Sequence, residues 1–112
     1  MATPLNTFKT VTAVLTTTDQ IIYTAPTGFT GIILMAQVTN VDNTNNADVT
    51  FGVTGLDSTY TELVKAYTIP IKDAATVLTG KLVVEQGSTL HAFASANNRL
   101  KMTLSVLESL NA

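Results

Sequence analysis

Apolar residues recur at every second position along this chain, in short runs separated by turn residues. The longest run follows Pro26 and Gly28, and its alternation places successive side chains on opposite faces of a β-strand. One face is apolar throughout and comprises Ile32, Leu34, Ala36 and Val38. Because the other face is also apolar at Ile33 and Met35, this strand needs cover on both sides. Ile33 and Met35 therefore either seal the middle of a sandwich or contact a second subunit.

Similar alternation predicts seven further strands, at residues 8–16, 20–24, 49–54, 61–69, 76–85, 89–95 and 99–107. Turn residues separate them at intervals of about 10 to 15 residues, which is typical of a sandwich or barrel. Eight strands in two sheets is the jelly-roll count. An immunoglobulin-like sandwich is the nearest competitor, but the chain has no cysteine or tryptophan to form its core pattern. We predict one all-β domain over residues 8–112, an eight-stranded antiparallel β-sandwich of jelly-roll type, after an N-terminal arm of residues 1–7.

Glycine, proline and asparagine mark the predicted turns. Pro26 followed by Gly28 predicts a type I turn over residues 25–28. Residues 86–88, centred on Gly87, and the pair Asn97-Asn98 predict two hairpin turns. Gly80 lies inside the predicted strand 76–85 and indicates a bulge or a close backbone approach there.

The composition favours a protein that assembles into something larger. Charged residues make up only 12% of the 112 residues, about half the usual share, while threonine makes up about a fifth. A surface of hydroxyl and amide groups repels its own copies weakly. The net charge of −2 and the scattered lysines and arginines argue against a nucleic-acid partner. No apolar run approaches the length of a membrane helix and the N-terminus lacks a signal-peptide core, so no membrane partner is predicted.

The side chains that carry chemistry are few. There is no cysteine and one histidine, His91, so disulfides, zinc sites and a Ser-His-Asp triad are all disfavoured. The eight carboxylates form no suggestive pair, which argues against a glycosidase. The loop 42–48 has oxygen ligands that calcium could use, but it lacks EF-hand spacing and reads better as a solvated turn. We therefore predict no cofactor and no enzymatic activity.

Three stretches carry a resemblance to a known group of proteins: IIYTAPTGFTGIILMAQVTNV (21–41), TELVKAYTIP (61–70) and residues 77–108. They resemble small, cysteine-free, all-β virion proteins of tailed bacteriophages, especially phages of aquatic bacteria. The resemblance implies a structural component of the particle, such as a capsid cement or decoration subunit or a neck, tail or fibre-attachment part. Many such proteins assemble as trimers.

The favoured hypothesis is a capsid decoration protein that forms a homotrimer, binds the major capsid protein or other virion proteins, and resides in the virion after synthesis in the host cytoplasm. A subunit that binds only the assembled shell stabilises it by mass action. The predicted contact residues are Thr3, Pro4, Leu5, Phe8, Ile33, Met35 and Phe93. The alternatives are a neck, tail or fibre-attachment part and a glycan-binding fibre module. A small β-sandwich enzyme is a third class, and the few titratable groups argue against it.

Overall fold

The computed structural model of the chain describes residues 6–111, and these form nine β-strands and no helix. The strands are β1 (Asn6–Val14), β2 (Gln20–Thr24), β3 (Phe29–Asn40), β4 (Ala47–Thr54), β5 (Tyr60–Ile69), β6 (Ala74–Thr76), β7 (Leu82–Val84), β8 (Thr89–Ala94) and β9 (Leu100–Leu110). Over that range, accordingly, no helix is long and apolar enough to cross a membrane. The first strand begins at Asn6, so the last two residues of the predicted arm belong to β1.

The strands form two antiparallel sheets packed as a sandwich. Sheet A has the order β1-β9-β3, with β6 and β7 both paired to the far side of β3, and sheet B has the order β2-β8-β4-β5. Among residues 6–111 only β4 and β5 are both consecutive and hydrogen-bonded, and the other connections lead elsewhere, as in interleaved Greek keys. The prediction of an all-β jelly-roll-like sandwich is confirmed.

The strand count is nine because the predicted strand 76–85 is interrupted. β6 pairs with residues 37–39 of β3, and β7 pairs with residues 31–33. Between them the chain leaves the ladder, and Gly80 adopts φ +77°, which L-residues with side chains rarely adopt. If β6 and β7 are regarded as one broken strand, the arrangement is the expected eight-stranded one.

The long strand β3 contains a bulge that changes the predicted faces. Ile33 lies opposite Val106 and Met35 opposite Ser105, so Leu34 is an extra residue in the ladder. A one-residue insertion moves every later side chain to the other face. Ile33 is consequently fully buried together with Ala36 and Val38, whereas Ile32 and Leu34 lie on the outer side. The prediction that Ile32, Leu34, Ala36 and Val38 share one face is wrong for this reason.

Three turn predictions are also corrected. Phe29 donates its backbone N–H to the Pro26 carbonyl at 3.0 Å, and Gly28 has φ +88°, so the turn spans residues 26–29 with glycine third, as in type II. The turns at 86–88 and 97–98 are not hairpins, because the strands on either side of each belong to different sheets. Asn98 does adopt the left-handed conformation, with φ +62°.

The core lies between the sheets and is almost wholly apolar. Its largest fully buried side chains are Leu15, Ile33, Phe51, Ile69, Leu90, Leu100, Met102 and Leu104. Asn40 is a buried polar residue at one end. Its buried amide donates to the carbonyls of Asn45 and Ile69 at 3.0 Å each, and its Oδ1 accepts from the Asp42 N–H, which holds loop 41–46 against β5.

Candidate functional site

An apolar row crosses the outer face of sheet A at one level. The strand register places Phe8 of β1 opposite Leu107 of β9, Leu107 opposite Ile32 of β3, and Ile32 opposite Val83 of β7. Directly opposed side chains on neighbouring strands share one face of the sheet. With strands about 4.8 Å apart, the four residues form a continuous row roughly 15 Å wide. We call these four residues the apolar row.

The apolar row is open to solvent at both ends. Phe8 is 74% exposed and Val83 is 58% exposed, while Leu107 and Ile32 between them are partly buried. The bulge residue Leu34 extends the row into a shallow groove that is also lined by Phe8, Thr10 and Ser105. Exposed apolar side chains are common singly, but a contiguous group indicates a contact surface.

The polar residues around the row are mostly uncharged. Thr10, Thr12, Thr103 and Ser109 occupy outward positions of β1 and β9. Lys101 is an exposed cation at the far end, and Lys9 lines the groove while it pairs with Glu108. Hydroxyl side chains cost less to desolvate than charges do when a partner covers them. The composition of this face therefore suits contact with another protein surface.

A buried polar group lies behind the row, on the inner side of sheet A. Glu108 is buried, and its carboxylate accepts a hydrogen bond from the Tyr23 hydroxyl at 2.7 Å. The same carboxylate forms an ion pair with the Lys9 ammonium group at 2.9 Å. Burial opposes the charged form, but the Tyr23 and Lys9 hydrogen bonds outweigh it, so the pKa of Glu108 is lowered. Burial and the Glu108 carboxylate together raise the pKa of Tyr23. This group ties β1 to β9 and to sheet B beneath Phe8.

The outer face of sheet B has a different character. His91 lies at its centre, with Nδ1 2.8 Å from Asp19 Oδ2 and Nε2 2.7 Å from Thr89 Oγ1 and 3.3 Å from Thr54 Oγ1. Tyr60 packs edge-on against the imidazole, with ring centroids 5.5 Å apart. The same Tyr60 ring covers Gly52, where any Cβ would lie 2.7 Å from it.

The His91 group resembles a catalytic relay in its distances but not in its surroundings. Two threonine hydroxyls and the Tyr60 ring crowd the His91 imidazole. Through its hydrogen bonds, this imidazole links the β1–β2 turn to β8 and β4. Its polar contacts are to threonines of the sheet and to Asp19 in the β1–β2 turn, so the geometry is that of a structural clamp. Spacing along the sequence could not reveal it, because Asp19 and His91 are brought together only by the β2–β8 pairing.

The fold does not bring together the four predicted contact residues that lie within residues 6–111. Phe8 lies in the apolar row, but Ile33 is fully buried in the core and is unavailable to a partner. Met35 is partly buried beside the bulge, and Phe93 is partly buried on the outer face of sheet B, opposite Thr50. Thr3, Pro4 and Leu5 lie outside the described residues. The sequence did not predict that Ile32, Val83 and Leu107 would lie side by side, because single apolar residues on three strands form no pattern until the strand register is known.

A second apolar feature is an open pocket of about 400 Å³ on the side of the sandwich. It lies between β5 and the segment that connects β6 to β7, and it is lined by Leu63, Val64, Tyr67, Thr76, Val77, Leu78 and Thr79. The interruption of the broken strand leaves the two sheets uncovered there. A pocket of this size can take one or two apolar side chains.

In the loop at 42–48, the Asp42 carboxylate is bound by groups of the loop itself. Oδ2 of Asp42 accepts hydrogen bonds from the backbone N–H groups of Thr44 and Asn45, at 3.2 and 2.6 Å. These bonds, the one from Thr44 first, hold the pKa of Asp42 below its usual value. Across residues 6–111 no three histidine or acidic side chains converge as metal ligands would.

Comparison with known proteins shows similarity of fold only. No protein-family model matches the chain, and no curated protein matches it. A chain from the acidic stable capsid of Helicobacter pylori bacteriophage KHP30 has a TM-score of 0.56 and 14% identity, over 97% of this chain and 90% of that one. A chain of the Bacillus endospore appendages, which form disulfide-linked pili, has a TM-score of 0.53 and 12% identity, over 96% and 88%. A chain of the IBDV viral particle has a TM-score of 0.53 and 8% identity over 96% of this chain, which spans about a third (32%) of that protein's length.

Proposed function

We propose that this protein is a non-enzymatic structural component of a virus particle, a capsid cement or decoration protein whose apolar row binds the shell. The row is the observation that carries the proposal. In it, adjacent apolar side chains cross a whole sheet, exposed at both ends and partly buried between them. Covering it would remove apolar area from water, which is the main driving force of protein association.

The fold and the composition support this proposal. Two of the solved structures with the same fold come from virus particles, and the third comes from a pilus, so all three belong to assemblies of repeated subunits. The low content of charged residues, 12%, reduces repulsion when many copies lie side by side. A protein that binds only the assembled shell stabilises it in proportion to its binding free energy.

The finer arrangement is a homotrimer in which the N-terminal residues Thr3, Pro4 and Leu5 contact a neighbour. Closed symmetric oligomers repeat one interface and so bind a shell through several weak contacts at once. The partners are the major capsid protein or other virion proteins, and the location is the virion. Light scattering of the purified protein measures the subunit number, and a monomer at high concentration would contradict the trimer.

Val83→Lys tests the role of the apolar row. Val83 is 58% exposed, so lysine fits without disturbing the core, yet it places a charge at the end of the row. Ile21→Lys is the matched control, because Ile21 is 59% exposed on a strand of sheet B. Each protein is added to particles that lack it, and the bound copies are counted after sedimentation.

We expect Val83→Lys to reduce occupancy on the particle by about tenfold or more, since burying an unpaired charge costs several kcal/mol. Ile21→Lys should bind like the parent protein. Circular dichroism and thermal melting verify that both variants fold. Equal occupancy of the two variants would refute the role of the row. A copy number on the particle far below that of the major capsid protein would favour a neck, tail or fibre part.

Deleting residues 1–5 should loosen attachment to the particle if the arm is a tether.

A further inference from the structure

The exposed edges of the two sheets differ in how they are protected. An unprotected edge strand is a template for pairing with another chain, and proteins shorten, bulge or charge such edges. β2 has five residues and a bulge between Ile21 and Tyr23, and β6 and β7 have three residues each. The pairing of β5 with β4 shifts register on both sides of Phe51 of β4, and β5 contains a left-handed residue, Ala66. These edges are poor templates.

β1 lacks all of these devices. It pairs with β9 over nine consecutive residues without any shift of register, and it contains neither proline nor glycine. Its one charged residue, Lys9, is directed to Glu108 by the 2.9 Å ion pair. Within residues 6–111 no strand pairs with the other long edge of β1, so this edge offers a regular strand.

The backbone groups that face this free edge can be assigned. Leu15 donates its N–H to Leu100 O at 2.9 Å, so the odd-numbered residues of β1 direct their backbone groups toward β9. The even-numbered residues from Asn6 to Val14 therefore direct theirs away from the sheet. Gln20 Nε2 donates to Val14 O at 3.0 Å, which agrees with this assignment.

We infer that β1 docks a second copy of this chain through antiparallel β1–β1 pairing about a two-fold axis at Val11. In this register Phe8 lies opposite the second copy's Val14, and Thr10 lies opposite the second copy's Thr12. These residues carry the free backbone groups, so they exchange pairs of hydrogen bonds, while Val11 faces the second copy's Val11 as a non-hydrogen-bonded pair. The two five-stranded sheets become continuous.

The side chains of β1 are self-complementary in this register. Phe8 and Val14, 74% and 46% exposed, lie on the same face and cover each other. Thr10 and Thr12 form a threonine pair, which is favourable across strands. Lys9 lies opposite the second copy's Ala13, whereas an axis at Lys9 would place two ammonium groups opposite each other. The Val14 carbonyl has two lone pairs and can accept from both Gln20 and the second copy's Phe8.

This contact is distinct from the proposed shell contact. It uses the edge of sheet A and leaves the outer surface of the apolar row open, lengthened at Phe8 by the second copy's Val14. A two-fold contact cannot close a trimer, so in a trimeric assembly it would join one trimer to another. If the protein pairs through β1 but does not bind the shell, only the proposed function is overturned. If it binds the shell but does not pair through β1, only this contact is overturned.

Single-cysteine variants test the register, because the parent chain has no cysteine. Under mild oxidation of micromolar protein, Val11→Cys should form disulfide dimers on the order of a hundredfold faster than Ala13→Cys, since only position 11 meets its own copy. Ala13→Cys is the matched control, as both residues are partly buried on the same face of β1. Mixing Lys9→Cys with Ala13→Cys should give mixed dimers.

Fastest crosslinking by Phe8→Cys or Thr10→Cys would overturn the register, and uniformly slow crosslinking would overturn the pairing. Thr10→Pro provides a second measurement that needs no thiol. Its lost N–H faces the free edge, so the β1–β9 ladder stays intact. Sedimentation should show a smaller assembly than the parent protein forms, with about half the mass where the pairing joins two units. An unchanged mass would contradict the proposal.

Discussion

The two outer faces of this sandwich are built from the same alternation of apolar and polar residues, but they differ in how much contiguous apolar area they leave exposed. On sheet B, the central side chains contact one another: His91 reaches Asp19, Thr54 and Thr89, and Tyr60 packs on its ring. On sheet A, the outer face carries the apolar row of Phe8, Leu107, Ile32 and Val83, which is exposed at both ends and partly buried between them. The centre of sheet B holds its polar side chains through contacts within the chain and exposes Ile21 singly, whereas sheet A keeps a contiguous apolar row in contact with water.

This difference separates stability from association. A face whose side chains hold one another contributes to the free energy of folding, and changes there should destabilise the monomer. A face whose side chains are exposed contributes little to folding, and changes there should alter binding alone.

The largest effect is expected for Gly52→Ala on sheet B. A Cβ at this position would lie 2.5 Å from the Thr61 carbonyl oxygen and 2.7 Å from the Tyr60 ring, so the β4–β5 pairing has to shift. We expect a loss of about 3 kcal/mol in the free energy of unfolding, measured by urea denaturation. Gly55→Ala is the control, because its Cβ would meet only Asp57 at an ordinary 3.5 Å. Equal stabilities for the two variants would mean that the close packing of Tyr60 does not matter.

Glu108→Gln tests the polar group behind the apolar row. The amide keeps the shape but loses the charge that binds Tyr23 and Lys9, and we expect a loss of about 1 to 2 kcal/mol at neutral pH. The folded-state pKa of Glu108 is lowered, so its contribution is present above the usual glutamate pKa and disappears as the pH falls through the folded value. The parent should therefore lose stability on acidification more steeply than the variant. Parallel acid-unfolding curves would show that the carboxylate contributes nothing.

The smallest effect is expected for Tyr60→Phe. Its hydroxyl is buried without a hydrogen-bond partner among the described residues, and burial raises its pKa. Removing an unsatisfied hydroxyl while keeping the ring should leave stability unchanged or raise it by up to about 1 kcal/mol. Particle binding should not change, since Tyr60 lies on sheet B. A clear loss of binding would mean that the contact surface includes sheet B, and it would contradict the proposed role of sheet A.

The turn chemistry shows how far local sequence information extends. Gly28, Gly80 and Gly87 mark positions where the backbone needs a positive φ, and all three have it. Yet the turns at 86–88 and 97–98 join strands of different sheets instead of forming hairpins. A turn residue specifies the local backbone conformation, but the partner of the next strand depends on residues far away in the chain.

The sequence by itself determined the all-β class, the approximate strands, the jelly-roll-like sandwich and the near absence of catalytic side chains, because period-two alternation and residue type are local properties. Only the tertiary structure decided which faces look outward. The bulge at Leu34 moved Ile33 into the core and left Ile32 outside, and the order β1-β9-β3-β7 aligned four separate apolar residues into one row. Register and strand order are set by contacts between distant segments, so the row exists only once the sheets have formed.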